Sequence, residues 1–271
     1  MIRLATMSSV CPDWTLDETI AAMKKYGYAG YEPRPEWGHK GGVELTLTSD
    51  QRKAVRKRFA DEGLAICCIA TGVRIAGDDE AERRQHAETL RKYIDLAGDI
   101  GAGRVRIFGG AFGGGELRGI VRRAADTVRP VLDAARERGV TVCLESHDAW
   151  CRSNMVAAVV DAVDHPAFAA LWDLMHTQRF LESPAESFGK LGTRVKHLHV
   201  HDGRYTPDGL KMETVLLGEG EIDHAEPLRL LQQAGADLYA SVEVIHKVGD
   251  RGKADPVLKN YAEGLKRLLN A

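Results

Sequence analysis

Short runs of β-branched and aromatic residues alternate with longer stretches of helical periodicity from one end of the chain to the other. The pattern predicts strands near residues 2–8 (IRLATMS), 28–34 (YAGYEPR), 64–71 (LAICCIAT) and 104–110 (RVRIFGG). Four more follow near 141–147 (TVCLESH), 168–175 (FAALWDLM), 195–202 (VKHLHVHD) and 239–246 (YASVEVIH). Helices are expected at about 15–26, 49–62, 78–101, 116–138, 153–163, 184–191, 224–234 and 255–270. Thr15-Leu16-Asp17-Glu18 has the spacing of a capping box. Gly27, Gly63, Gly101, Gly139 and Gly235 stand where five helices should stop, each shortly before a strand.

Eight strands, each followed by a helix, imply parallel pairing through right-handed crossovers. The 271 residues leave nothing over for a second domain, so the expected fold is a single-domain α/β chain, a (β/α)8 TIM barrel spanning 1–271. An open doubly wound sheet is the alternative, but its glycine fingerprint after the first strand is missing. The longest irregular pieces, Pro35 to Thr48 and Gly203 to Ile222, follow strands 2 and 7 and fall on the face where such barrels carry active sites.

Composition narrows the function classes. Lysine plus arginine total 37 against 39 acidic residues, a formal charge of -2, so the basic surplus expected of a nucleic-acid binder is absent. No run reaches the ~18 apolar residues of a membrane span, and the first residues do not read as a signal peptide. Cys11, Cys67, Cys68, Cys143 and Cys151 form no C-x-x-C pair, which reads as reduced thiols in a cytoplasmic protein.

The chemistry concentrates at predicted strand ends. Glu145 closes strand 5, Asp173 closes strand 6, His199 lies near the end of strand 7 and Glu243 near the end of strand 8. Four adjacent strands thus deliver three carboxylates and an imidazole to one end of the barrel. That donor set suits one divalent ion, Mn2+ first, with Mg2+, Co2+ or Zn2+ as alternatives. Three carboxylates converging without a cation repel one another, although each taken alone also reads as a solvated strand-end residue. His197, His199 and His201 share one side of a strand, with Leu198 and Val200 on the other. His176 follows Asp173 by three residues, placed to be a ligand, a substrate contact or a group orienting the carboxylate. Glu32 ends strand 2 and either reaches the site or pairs with Arg34 or Lys25. The run Gly109 to Gly115 reads as a flexible loop or an anion cradle, and lacks the lysine of a P-loop.

The motifs LES (144–146), WDLMH (172–176), HLHVHD (197–202), GEGEID (218–223) and SVEV (241–244) together resemble the xylose-isomerase-like barrel superfamily over essentially the whole chain. The resemblance implies that Glu145, Asp173, His199 and Glu243 bind one divalent metal. In ketose 3-epimerases of that group two ligand glutamates flank the sugar. One of Glu145 and Glu243 would then remove the proton next to a carbonyl and the other return it, through a metal-stabilised enediolate. His176 would contact a substrate oxygen. Those epimerases carry an arginine six residues after the metal histidine; here that position is Tyr205, and Arg204 beside it is the substrate-binding candidate, with Glu32. The resemblance also implies a homo-oligomer.

Three functions compete. The first is a metal-dependent isomerase or epimerase of a ketose or sugar phosphate. The second is a lyase dehydrating a cyclic keto-polyol such as inosose or 3-dehydroshikimate, which shares the first proton abstraction. The third, an endonuclease IV-like nuclease, needs more histidines. His39 fills one place, but none follows strand 3 and no Asp-x-His lies beyond His199.

Overall fold

The computed structural model describes residues 1–209 and 211–270. Its strands are β1 (Ile2–Met7), β2 (Gly30–Glu32), β3 (Ala65–Ile66), β4 (Ile69–Arg74), β5 (Arg104–Phe108), β6 (Thr141–Glu145), β7 (Phe168–Asp173) and β8 (Val195–Val200). A hairpin of β9 (Asp202–Tyr205) and β10 (Met212–Val215) follows, and β11 (Leu238–Val242) completes the set. The main sheet runs β3-β2-β1-β11-β8-β7-β6-β5-β4, and every pairing in it is parallel.

The two ends of that order, β3 and β4, are halves of one stave. The first half bonds to β2 and the second to β5, and the ladder toward stave 2 continues through Cys67 N–H to Tyr31 O (2.9 Å) and Ala70 N–H to Pro33 O (2.9 Å). Eight staves therefore close into a barrel, as the repeat count predicts. The third stave is interrupted at Cys67 and Cys68 rather than running unbroken over 64–71, and further along, within β4, its register against β5 shifts between Ala70 and Arg74.

Helices α1 (Leu16–Tyr26), α2 (Ser49–Asp61), α3 (Glu80–Ile100), α4 (Leu117–Glu137) and α5 (Ser153–Val163) fall close to their expected places. After the short α6 (Leu174–Gln178) come α7 (Pro184–Leu191), α8 (Ala225–Gln233) and α9 (Ala254–Leu269). The Thr15–Glu18 capping box is formed in both directions. Gly27 and Gly101, at φ 77° and 79°, end α1 and α3 in the left-handed region that a Cβ disfavours.

Alternation divides each stave between two cores. Val105, Ile107, Val142, Leu144, Ala170, Trp172, Leu198 and Val200 are fully buried in the layer between barrel and helices, each larger one stabilising by about 1.5–3 kcal/mol. Inside the barrel the floor is small and apolar: Ala5, Cys67 and Cys68 pack with Tyr239, and Cys143 with Ala169 and Leu171. Above that floor the lining turns charged. The five cysteines are free and buried. Among the described residues no helix is long and apolar enough to cross a membrane.

Candidate active site

The charged layer is set by strand register. Asp173 of β7 stands beside His199 of β8, and Ser241 of β11 stands on the other side of that histidine, so Glu243 points inward one pleat higher. Glu145 ends β6 beside Leu171. Glu145, Asp173, His199 and Glu243 each offer a ligand atom, and the four atoms lie within 4.8 Å of one another, all buried. The structure thus brings together the four residues that strand-end spacing selects.

His199 is the hub. Its Nδ1 lies 2.9 Å from Glu145 Oε1 and 2.8 Å from Glu243 Oε2. Its Nε2 lies 3.1 Å from Oε1 of the fully buried Glu32, whose Oε2 is 2.9 Å from His197 Nε2. Glu32 therefore pairs with two histidines rather than with Arg34 or Lys25, and Lys25 bonds to Asp255 instead. A carboxylate behind an imidazole fixes the ring's tautomer and orientation, which is what a ligating histidine needs. Asp173 caps α6 through the His176 N–H (2.8 Å), and its Oδ2 meets His201 Nε2 at 2.8 Å.

Burial alone would raise the carboxyls, but the charge on His199 prevails and holds Glu243 down at about 2. Burial likewise opposes ionisation of Glu32 and Asp173. The neighbouring imidazoles of His199 and His197 nevertheless hold Glu32 well below the carboxylate range, and those of His176 and His201 do so for Asp173. His199 is raised well above its ordinary value: burial works against its charge, and Glu243, Glu32 and Glu145 outweigh it. The carboxylates around His199 therefore favour its charged form. His176 goes the other way, lowered to about 4 chiefly by burial. Its ring packs edge-on against His147 at 4.3 Å and His201 at 5.3 Å.

The donor chemistry fits a divalent cation. Three carboxylates and one imidazole are the oxygen-rich set preferred by hard or borderline ions. Glu243 Oε2 is buried without a hydrogen bond of good geometry, as a ligand oxygen would be.

Arg204 does not join the cluster. It is exposed on β9, and its guanidinium donates to the Glu219 carbonyl. Tyr205 turns its hydroxyl to the Arg179 carbonyl at 2.7 Å. His39, the nuclease candidate, bonds to Ser8 Oγ at 2.8 Å. The glycine run is tied down rather than free: Gly114 N–H donates to Asp78, and Arg123 donates to the Phe112 and Gly114 carbonyls. A Cβ on Gly109 would come within 2.2 Å of the Trp150 ring, so close packing accounts for that glycine.

Two residues escape the sequence reading. Arg106 is fully buried, with Nε 3.2 Å from Glu145 Oε2. The signal was present in the alternation of RVRIF, where Val105 and Ile107 face the helices and Arg106 must face inward. Asp202 is the other. Its Oδ1 accepts from Gly203 and Ile222 N–H (2.9 and 3.3 Å), and its Oδ2 from Gly218 and Gly220 N–H (2.8 and 3.0 Å). HLHVHD and GEGEID are therefore one hydrogen-bonded unit, the aspartate of the first holding the backbone of the second.

Over 173 residues the chain is 25% identical to fructoselysine 3-epimerase of Shigella flexneri, a match covering 62% of this chain and 61% of that protein. The chain thus spans about three fifths of the length of that curated relative. Among solved structures, the IOLI protein with a bound zinc atom superposes with a TM-score of 0.84 at 16% identity, covering 99% of this chain and 98% of that one. The probable 3-DHS dehydratase AsbF of Bacillus anthracis gives 0.76 at 17% identity, covering 98% and 99%. The family profile described as xylose isomerase-like TIM barrel matches residues 20–271, and the chain belongs to that family.

Proposed function

We propose that this protein is a divalent-metal-dependent isomerase or epimerase of a sugar or sugar phosphate, working by proton abstraction next to a carbonyl. The observation that carries the reading is the convergence of Glu145, Asp173, His199 and Glu243 within 4.8 Å at the open end of the barrel. A divalent cation held there supplies Lewis-acid polarisation of a substrate carbonyl. Mn2+ is the first candidate, with Mg2+, Co2+ and Zn2+ behind it. Glu145 and Glu243 are the acid/base pair: they come from staves 5 and 8, each with one oxygen free of a good hydrogen bond. His176 keeps an unpartnered Nδ1 to offer a substrate oxygen. Burial holds that ring neutral near pH 7, able to donate from one nitrogen and accept at the other.

A second reading, dehydration of a cyclic keto-polyol, gains support from Arg204. The guanidinium that the epimerase resemblance calls for is engaged with the Glu219 carbonyl on the exterior, so one feature of a ketose epimerase is missing. The two readings share the first step and part at the second, return of a proton or expulsion of a β-hydroxyl. Metal analysis followed by an NMR screen of ketoses, inososes and 3-dehydroshikimate in deuterated water separates them. Deuterium entering a ketose without loss of water supports the epimerase. An absorbing enone supports the lyase, and inertness of the loaded protein toward every candidate refutes both.

A further inference from the structure

Arg106 is a charge that the barrel has no packing reason to keep. Its register partner on β6 is Cys143, so it sits one pleat beneath Glu145. Side-chain exposure is 1% for the arginine and 0% for the glutamate. The guanidinium lies on the face of Phe108, 3.9 Å from Cζ to the ring centroid. None of its three nitrogens makes a hydrogen bond of good geometry, and Glu145 Oε2, 3.2 Å from Nε, is its ion-pair partner. A leucine or methionine there would cover Phe108 without the desolvation cost of a buried cation. Among the described residues Glu243 makes no close ion pair with an arginine: its Oε2 faces His199 Nδ1 at 2.8 Å, it feels Arg34 only at longer range, and it keeps 5% exposure. The two glutamates are thus held differently, one braced from below and one not.

We propose that Arg106 is a positioning residue for Glu145, bracing Oε2 so that Oε1 stays turned toward Asp173, His199 and Glu243. The inference rests on the metal-site reading, and it makes a prediction of opposite sign to simple electrostatics. Deleting a positive charge beside a cation site should tighten divalent binding if charge alone matters. Deleting a brace should weaken it, by about 10- to 100-fold for a group that orients a ligand.

Calorimetric titration of Mn2+ into the metal-stripped full chain distinguishes the two. Arg106→Gln is expected to weaken binding by about 10- to 100-fold, and Arg106→Lys to weaken it as well, because an ammonium keeps the charge but lacks the planar fork. In a Glu145→Gln background, removing Arg106 should change the affinity no further, whereas an effect through general packing would persist there undiminished. Arg106→Gln binding Mn2+ as tightly as wild type, or more tightly, overturns the proposal, as does an undiminished effect in the Glu145→Gln background. Where Arg106→Gln does not fold, Arg106→Lys decides alone: weaker binding supports the brace and wild-type affinity overturns it. Wild-type protein that binds no Mn2+ overturns the metal-site reading and this proposal together.

Discussion

The most quantitative consequence of the structure concerns Asp202, the last residue of HLHVHD. It is 1% exposed, and its two oxygens take four backbone N–H bonds, two apiece. Asp202→Asn conserves shape but leaves one oxygen, so whichever way the amide turns, two N–H groups face an NH2 in place of an acceptor. Hydrogen bonds to a charged group contribute about 1.5–3 kcal/mol each, so losing two costs roughly 3–6 kcal/mol. At ~2–4 °C per kcal/mol for a chain of this size, the melting temperature should fall by roughly 6–24 °C. Calorimetric melts measure the loss. Amide exchange should show Gly218, Gly220 and Ile222 losing protection while the far side of the barrel keeps it. A melt within about 2 °C of wild type, with those amides still protected, would refute the view that Asp202 anchors this loop. The variant should still bind Mn2+, since Asp202 is not among the four converging ligands.

Other outcomes follow from the site. Glu145→Gln and Glu243→Gln should each fold and lose turnover by about 10²- to 10⁴-fold; full activity in either removes its acid/base role. Arg204→Ala should change turnover and stability little, because the side chain is exposed and bonds the Glu219 carbonyl; a hundredfold loss of turnover would place it in the reaction after all. Because the surrounding carboxylates favour the charged form of His199 in the metal-free protein, Mn2+ binding should release a proton, seen as a buffer-dependent calorimetric enthalpy. An enthalpy independent of buffer would contradict this. The metal-free protein should also lose stability on both sides of neutrality. Glu243, at about 2, and His176, at about 4, bind fewer protons folded than unfolded, so their contribution is full above the unfolded values and fades as pH falls. His199, raised, contributes fully below its unfolded value and fades as pH climbs through its folded one. Melts across pH 3 to 9 that rise steadily toward either end would overturn that assignment.

Much of this molecule was legible in the sequence because its signals are local. Gly27, Gly63, Gly101, Gly139 and Gly235 all adopt positive φ, as stop signals should. Likewise the period-2 phase of VKHLHV sends His197 and His199 inward whatever the rest of the chain does. Three features were not legible. The sixth strand stops at Asp173, not residue 175, because that aspartate caps α6; its dual service as cap and candidate ligand is a tertiary choice. The seventh strand ends at Val200, and the chain then turns into the β9–β10 hairpin, which the alternation of its residues does not announce. Glu32 meets His197 and His199 across 165 and 167 residues, a partnership no spacing rule reveals, whereas Arg34 and Lys25 are near in sequence and offer themselves as partners. Arg106 is the instructive case, since its inward phase was readable but a strand arginine passes easily for a solvated edge residue.

The proposed function depends on one doubly charged ion bound among Glu145, Asp173, His199 and Glu243. Crystals grown with Mn2+ and measured at a wavelength where manganese scatters anomalously test it directly. A single strong peak is expected at about 2.0–2.6 Å from one atom of each of the four side chains. A map with no peak there, or with manganese bound only elsewhere on the protein, would contradict it.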